Sequence, residues 1–212
     1  MPPPTQRKTP VRQPKQRRSQ DTVNTILSAG ARILAEAGWS RFNTNAIAAR
    51  AGVSIGSVYE YFESKQVLVD AIASAHLARG EDLLARASAR VAHPVDLEEF
   101  AGILVRGMVA LHAEDPRLHR VLSSEAPLSA PVRARAERLR LHFVDVVARV
   151  LDGRTKAPRL AAQLLVDTTD AAVHRWWVDD DGGLAEPQQL AAELERMVSA
   201  YLREARPMDR AG

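Results

Sequence analysis

The sequence predicts an all-α protein of about nine helices, with a small N-terminal domain followed by a larger helical domain. Three observations support this prediction. From Val23 onward, apolar residues recur at spacings of three and four, the period of a helix with one buried face. Each such stretch is bounded by capping residues, glycine or proline. No stretch alternates with the period of a strand and no segment repeats, so neither a sheet nor a solenoid is indicated.

The N-terminal helices are predicted from their caps and stops. The first carries an apolar stripe over residues 23–37 and stops at Gly38. The next three follow Asn43, Ser54 and Ser64, whose side chains are suited to accept a hydrogen bond from the first turn of a helix. In chain order we expect one helix over residues 44–51, a second over residues 54–61 and a long third helix that carries Leu68, Ile72 and Ala75. Gly52 closes the first of these helices.

Five further helices are expected in the C-terminal part. Asp96 starts the first, because Glu99 stands three residues later and completes a capping box with Asp in place of Ser or Thr. Proline is tolerated in the first turn of a helix, where its missing N–H costs no hydrogen bond. The other four helices accordingly begin at Pro116, at Pro131 (ending at Asp152-Gly153), at Pro158 (reaching Trp176-Trp177 before the break at residues 179–183) and at Pro187.

Composition excludes several classes of protein. The chain has no cysteine, which rules out disulfides, cysteine-ligated zinc and thiol catalysis. No apolar run approaches the ~18 residues of a membrane span, and no apolar segment follows the basic N-terminus as in a signal peptide. We therefore expect a cytoplasmic protein with no membrane partner.

The positive charge is concentrated in the N-terminal tail. Residues 1–18 contain six basic residues, five prolines and no acidic residue, and they carry too little apolar surface to fold alone. Subtracting those six from the 29 basic residues of the chain leaves 23 against 26 acidic ones, a formal net charge of −3 for the remainder. A disordered basic arm suits DNA binding by counterion release, and a solubilising leader is the alternative.

One pentapeptide has two interpretations. Gly52-Val53-Ser54-Ile55-Gly56 matches G-x-S-x-G, the nucleophile elbow of serine hydrolases, which requires a strand before the serine. Residues 43–51 are instead rich in alanine, with Ile47 as their one β-branched apolar residue, and predict a helix. Two short helices joined at Gly52 form a helix-turn-helix, in which Ser54 is a cap and not a nucleophile. We therefore expect no catalytic residues and no enzyme activity.

Residues of about 20–70 resemble the DNA-binding domain of TetR-type transcriptional repressors. The matching motifs are Ile26-Leu27, Ala37-Gly38, Ile47-Ala48, Ala51-Gly52-Val53-Ser54, Gly56-Ser57-Val58-Tyr59, Tyr61-Phe62 and Ser64-Lys65-Gln66-Val67-Leu68. The resemblance implies an all-helical homodimer in which the first three helices bind DNA and the remaining six form a regulatory domain. It also implies that the last two long helices build a four-helix dimer interface.

The resemblance assigns DNA contacts to the second and third helices and the turn between them. Phosphate ligands would be Thr44, Ser57, Tyr59, Tyr61 and Lys65, base edges would be met by Asn45, Ile55 and Gly56, and Ser54 would cap the reading helix. Ile55 and Gly56 offer no side-chain hydrogen bond, so readout would depend on thymine methyl contact and groove fit. Partly buried packing is the alternative role for the two tyrosines.

The C-terminal half is interpreted from its apolar stripes. A ligand cavity between helices would be lined by Phe100, Leu104, Met108, Leu111, Leu139, His142, Phe143, Asp170, His174 and Trp177. For each of these residues taken alone, core packing is the simpler explanation. The six histidines form neither an H-x₃-H pair nor an H-E-x-x-H motif, so no metal site and no cofactor is predicted, and a site assembled from distant helices is left open.

A dimer interface is predicted on the last two long helices. It would contain Leu164, Thr168, Ala171, Leu190, Leu194, Met197 and Tyr201. An intramolecular core would require the same residues. Two-fold pairing is favoured because one recognition helix covers too few base pairs for useful specificity.

The predicted function is a sequence-specific transcriptional regulator, most simply a repressor released from a pseudo-palindromic operator by a small-molecule inducer. Its parts would be a disordered basic tail (1–18), a helix-turn-helix domain (19–66), a ligand-binding and dimerisation domain (67–206) and a disordered C-terminus (207–212). The alternative is a sequence-tolerant architectural protein that binds DNA through its basic arm. Partners would be double-stranded operator DNA, an unidentified small effector and a second copy of the chain.

Overall fold

The computed structural model of the protein describes residues 13–89, 96–175 and 186–205, and these residues are almost entirely helical. Within them, none of the helices is both long and apolar enough to cross a membrane. The helices are α1 (Gln13–Arg41), α2 (Thr44–Ala51), α3 (Ile55–Tyr61), α4 (Lys65–Ala89), α5 (Leu97–Glu114), α6 (Pro116–Arg120), α7 (Ala130–Leu151), α8 (Pro158–Val173) and α9 (Pro187–Glu204), with a π-helical turn (Val121–Glu125) after α6. The predicted all-α fold is confirmed.

Helix α1 begins earlier than the sequence indicated. It starts at Gln13, inside the segment expected to be disordered, and residues 1–12 lie outside the described part of the chain. Pro14 is tolerated in a first turn, and the residues that follow it have ordinary helix propensity, so nothing stops the helix before Val23. The predicted stop at Gly38 is a kink, with φ 70° and ψ −179°, and the chain resumes helical geometry as far as Arg41.

Two hydrophobic clusters hold the helices together. The N-terminal cluster packs α1 to α3 against the first half of α4, with Ile26, Leu34, Phe42, Ile47, Val58, Leu68 and Ile72 at its centre. The C-terminal cluster packs the second half of α4 against α5, α7, α8 and α9, with Leu83, Phe100, Val105, Phe143, Val147, Leu151, Val173, Leu194 and Leu202. Helix α4 is therefore shared, and the expected boundary at residue 66 falls at its start, although residues up to Ala73 pack in the N-terminal cluster.

Helix α6 and the π-helical turn follow α5 in the chain but pack against the N-terminal helices. Leu118, Val121 and Leu122 are buried in the N-terminal cluster, although its other buried members except Val132 all lie between Ile26 and Ala73. The segment that follows is bound to α4, because Gln66 donates to the carbonyl oxygen of Pro127 (2.9 Å) and the Ser129 N–H donates to Asp70 (3.0 Å). A displacement of α6 therefore bears directly on the domain that carries α2 and α3.

The turn between α2 and α3 depends on Gly52. Its φ is 67°, a left-handed conformation that a residue with a Cβ adopts at a cost of about 1–2 kcal/mol, and its N–H closes α2 on the Ala48 and Ala49 carbonyls. We expect Gly52→Ala to lower the free energy of unfolding by about 1 kcal/mol. Chemical denaturation of the purified protein measures this change.

The matched control is Gly56→Ala in α3. A Cβ at Gly56 would meet only Ser54 Oγ, at 3.6 Å, and replacing a helical glycine by alanine raises helix stability by up to about 1 kcal/mol. Equal losses of stability in the two variants would contradict the role assigned to the positive φ of Gly52.

Candidate DNA-binding surface and regulatory cavities

Helices α2 and α3 form a helix-turn-helix whose caps are those the sequence predicts. The Asn43 side chain accepts a hydrogen bond from the Ala46 N–H (2.9 Å), and Ser54 Oγ accepts one from the Ser57 N–H (3.0 Å). Ile47 and Val58 are fully buried between the two helices and α1. The pentapeptide that matches a nucleophile elbow thus follows a helix, and Ser54 starts the next one.

The outer face of α3 is exposed. Ile55 and Tyr59 are 39% and 51% exposed, and Gly56, beside Ile55, is exposed as well. Asn45 is exposed at the start of α2. The hydroxyl of Tyr59 lies 3.2 Å from that of Thr44, so two residues expected to bind phosphate already lie together. The result is a small apolar reading face with polar groups at its edge.

Three other predicted phosphate ligands have partners inside the protein. Ser57 Oγ is hydrogen-bonded to Ser54 Oγ (2.8 Å), and the Tyr61 hydroxyl lies 3.2 Å from Ser19 Oγ. Lys65 Nζ donates to the Trp39 carbonyl oxygen (3.3 Å) and lies 3.6 Å from the centre of the Trp39 ring. A phosphate would have to share or replace these contacts.

The charges near this surface are partly neutralised. Arg50 makes a two-pronged ion pair with Glu36 (2.5 and 2.6 Å), and hydrogen bonding from Arg50 lowers the pKa of Glu36. Desolvation lowers the pKa of Lys65. Arg50 is therefore tied to α1, as a surface charge would be, and is not aimed at a base.

Two adjacent cavities lie within the C-terminal part. The apolar cavity has a volume of about 40 Å³ and is lined by residues including Phe100, Leu104, Met108, Phe143, Leu165 and Val198. The histidine cavity has a volume of about 140 Å³ and is lined by residues including His76, Leu111, His112, His119, Leu139 and Asp170. Met108, Phe143 and Val166 line both cavities and separate them.

Most of the predicted ligand-lining residues lie on these two cavities. The structure places Phe100, Leu104, Met108, Leu111, Leu139, Phe143 and Asp170 in their walls. His142 is exposed and lines neither, because it lies one position, about 100° of helix rotation, away from the buried Phe143. His174 contacts the histidine cavity through His119, and Trp177 lies outside the described residues.

Four histidines converge at the histidine cavity, each from a different helix or helix end. His119 is at the centre, since its Nδ1 lies 2.8 Å from His76 Nε2 and its Nε2 lies 3.0 Å from His174 Nε2. The ring of His112 lies 4.2 Å from that of His119, and its Nδ1 is hydrogen-bonded to the Met108 carbonyl oxygen (2.8 Å). Asp170 Oδ1 lies 4.0 Å from His112 Nε2 and 3.8 Å from His174 Nε2.

Burial disfavours the charged form of the imidazoles in this cluster. Desolvation, together with the neighbouring histidines, lowers the pKa of His76 to about 4 and that of His119 to about 2. Desolvation also lowers the pKa of His112. Sequence reasoning did not predict this cluster, because its members come from α4, α5, α6 and the end of α8 and show no local spacing. The available signal was that His112 and His119 flank the Asp115-Pro116 helix start.

Of the residues predicted for the dimer interface on α8 and α9, some are buried within the chain and the others are exposed. Leu190 and Leu194 are buried in the C-terminal cluster, so for these two the intramolecular alternative applies and they are not available to a partner. Leu164, Met197 and Tyr201 are 58%, 41% and 42% exposed, and Thr168 and Ala171 are exposed with them. With Leu160, which is 59% exposed, the apolar members of this set form the outer face of α8 and α9.

Comparison with protein families identifies both halves of the chain. Residues 26–72 match the model described as bacterial regulatory proteins, tetR family, and residues 96–202 match the model described as tetracyclin repressor-like, C-terminal domain. The chain belongs to the tetR family. This TetR-family protein is a helix-turn-helix transcriptional regulator, as the motifs of residues 20–70 predicted. A comparison with curated proteins found no match.

Solved structures of the same fold cover most of this TetR-family chain. A putative TetR-family transcriptional regulator from Mesorhizobium loti is 18% identical, with a TM-score of 0.71 over 88% of this chain and 97% of that one. The fatty acid degradation regulator FadR from Bacillus halodurans is 22% identical, with a TM-score of 0.65 over 86% and 96%. FadR from Bacillus subtilis in complex with stearoyl-CoA is 18% identical, with a TM-score of 0.63 over 84% and 97%. At these identities the likeness establishes the fold.

Proposed function

We propose that this TetR-family protein represses transcription as a homodimer on a pseudo-palindromic operator and is released by a small effector. The observation that carries the proposal is the position of α6. Leu118 of this helix packs in the N-terminal cluster, and the next residue, His119, lines the histidine cavity. One short helix therefore touches both the DNA-binding part and the interior of the regulatory part.

The effector would act by binding two arrangements of α6 unequally. An arrangement that separates the two recognition helices by one helical turn of DNA binds the operator, and an arrangement that tilts them does not. A ligand with higher affinity for the second arrangement shifts the population toward it, by no more than its difference in affinity for the two. Repression in the absence of effector follows if the first arrangement dominates in the free protein.

The size of the cavities favours a small effector. Pockets for drug-sized ligands hold about 300–1,000 Å³. The two cavities, of about 40 and 140 Å³, are well below that range. The stearoyl-CoA in the solved FadR complex has a much greater volume, so a ligand of that size would require this interior to open.

Two copies of the chain would pair through the outer face of α8 and α9. Its exposed leucines, Met197 and Tyr201 form an apolar surface that a monomer would leave in water. Pairing through one face of two helices is an isologous contact, which matches the two-fold symmetry of a pseudo-palindromic operator. On each copy, α3 would enter the major groove with Ile55 and Gly56 foremost, and Thr44 and Tyr59 would bind phosphate.

The proposal is tested by selecting bound fragments of the source genome with the full-length protein at near-physiological salt and sequencing them. We expect enrichment of a pseudo-palindrome whose half-sites lie about 10 base pairs, or a multiple of that, apart. Transcription in vitro from an enriched promoter should fall when the protein is added. Increased transcription would show that the protein is an activator and would contradict the proposed repression.

The alternative, an architectural protein, predicts a different selection. Fragments would then be enriched without a shared sequence, and binding would fall steeply with salt because phosphate contacts dominate it. This outcome would contradict the sequence-specific regulator, although the helix-turn-helix itself would stand.

A further inference from the structure

The histidine cluster has no part in DNA binding, and its geometry points to a chemical class of ligand. We propose that His112, His119 and His174, completed by Asp170, form a binding site for a divalent transition-metal ion of the Zn²⁺ type. Their ligating atoms, one from each histidine, all lie within 4.8 Å of one another. They are contributed by α5, α6 and the end of α8.

The distances suit a single ion with little rearrangement. A Zn–N bond is about 2.0–2.1 Å long, so two nitrogen ligands on one tetrahedral ion lie about 3.3 Å apart. His119 Nε2 and His174 Nε2 are 3.0 Å apart in the structure. Asp170 Oδ1 lies 4.0 and 3.8 Å from the Nε2 atoms of His112 and His174, and it would have to move closer by about half an ångström or more to serve as a fourth ligand.

One of the ligands is already held in the tautomer that a metal requires, and a hydrogen bond from His119 to His76 would hold a second. His112 donates from Nδ1 to the Met108 carbonyl oxygen, which leaves the lone pair of Nε2 facing the cluster. His119, when it donates from Nδ1 to His76 Nε2, likewise presents Nε2. A group that accepts a hydrogen bond from the other ring nitrogen of a metal-ligating histidine fixes the orientation of the ring and raises its basicity. We assign this positioning role to His76.

His76 supplies an independent observation. Its Nδ1 is buried and has no hydrogen-bond partner within the described part of the chain, although buried polar atoms are normally paired. Accepting from His119 at Nε2 places the His76 proton on that unpaired Nδ1, an arrangement that costs stability. A metal bound at His119 Nε2 would require this tautomer, so the unpaired Nδ1 of His76 agrees with the proposed site.

The donor set indicates the class of metal. Three imidazoles and one carboxylate suit Zn²⁺, Co²⁺ and Ni²⁺, whereas an oxygen-rich set would suit Mg²⁺ or Ca²⁺. The chain contains no cysteine, so the thiolate ligands that favour Cu⁺ are absent.

A metal here would restrain α6, since His119 is one of the ligands. The role of the ion as an effector rests on the proposed function, whereas its binding does not. Binding is therefore measured on the protein without DNA, and the two conclusions can fail separately.

The experiment titrates metal-free, untagged full-length protein with Co²⁺ and follows the visible absorption of the ion, with Zn²⁺ as competitor. We expect one Co²⁺ per chain and its displacement by Zn²⁺, which binds such sites more tightly. His174→Ala and Asp170→Asn are the main variants, because these side chains are 27% and 47% exposed and their replacement leaves the core intact. His174→Ala should weaken Co²⁺ binding more than about 100-fold, beyond the loss typical of an outer partner.

Two further variants distinguish a ligand from its surroundings. His76→Gln should weaken binding about tenfold and keep the absorption spectrum of the bound ion, as expected for a positioning residue. His142→Ala, at an exposed histidine outside the cavity, should bind Co²⁺ like the wild type. Zn²⁺ should raise the Tm of the wild type and of His142→Ala but not that of His174→Ala.

Absence of Co²⁺ binding, or equal binding by the wild type and His174→Ala, would overturn the metal site. Operator affinity measured with and without Zn²⁺ then tests the effector role alone. A Zn²⁺-dependent change in operator affinity supports the role of the ion as an effector. If the protein binds Zn²⁺ but its operator affinity is unchanged, the effector role is overturned and the metal site is not.

Discussion

Leu164→Glu should convert the protein to a monomer and lower its affinity for the selected operator about 1,000-fold, to the level of non-specific binding. Leu164 is 58% exposed on α8, and Met197 and Tyr201 are exposed on α9. In an isologous interface each substitution appears twice, so the variant places two carboxylates in a contact that is otherwise apolar. The monomer would retain one recognition helix and lose the second half-site.

Sedimentation at several protein concentrations measures the oligomeric state, and gel shift with the selected operator measures affinity. Val67→Glu is the matched control, because Val67 is an exposed aliphatic residue (43%) on α4, away from α8 and α9. We expect this control to remain a dimer. A Leu164→Glu protein that still sediments as a dimer would show that the copies pair through another surface.

Gly56→Leu should weaken operator binding about 100-fold, while the Tm of the protein should be no lower than that of the wild type, because leucine favours a helix more than glycine does. Gly56 lies on the exposed face of α3, where a Cβ meets only Ser54 Oγ, at 3.6 Å. A longer side chain therefore has room in the free protein, but in the complex it would keep α3 away from the base edges. In a dimer the loss occurs once in each half-site, and a cost of about 1.4 kcal/mol at each half-site corresponds to a change of this size.

Gly56→Ala provides the graded comparison, with a smaller loss of affinity, and circular dichroism verifies that both variants keep their helices. If Gly56→Leu bound the operator as tightly as the wild type, α3 would not approach the bases at this residue. The reading face would then have to be sought around Asn45 and Tyr59.

Local chemistry explains how much of this fold could be predicted from the sequence. Asn43, Ser54, Asp96 and Asp115 all cap helices in the structure, because an N-cap is determined by residues within one turn of it. The π-helical turn after α6 was missed, since residues 121–125 carry no glycine or proline to mark it. The start of α1 was missed because charge alone does not prevent a helix.

Sequence patterns are least informative about the sites where distant segments meet. An apolar stripe shows that a helix packs on one side, but it does not distinguish a core from an interface, since Leu194 is buried and Leu164 is exposed. The histidine cluster joins residues as far apart as His76 and His174, and only the packing of α4, α5, α6 and α8 brings them together. Motif searches for metals depend on short spacings, and this site has none.

The double attachment of α6 has an evolutionary consequence. Leu118 and His119 are adjacent, and their side chains point about 100° apart toward different clusters. A substitution in this helix therefore alters effector response and operator binding together, and selection cannot adjust one without the other. Residues of α5 and α8 that line the cavities without touching α1 are free of this constraint. Adaptation of the fold to a new signal would thus proceed through those two helices, with α6 retained as the common part.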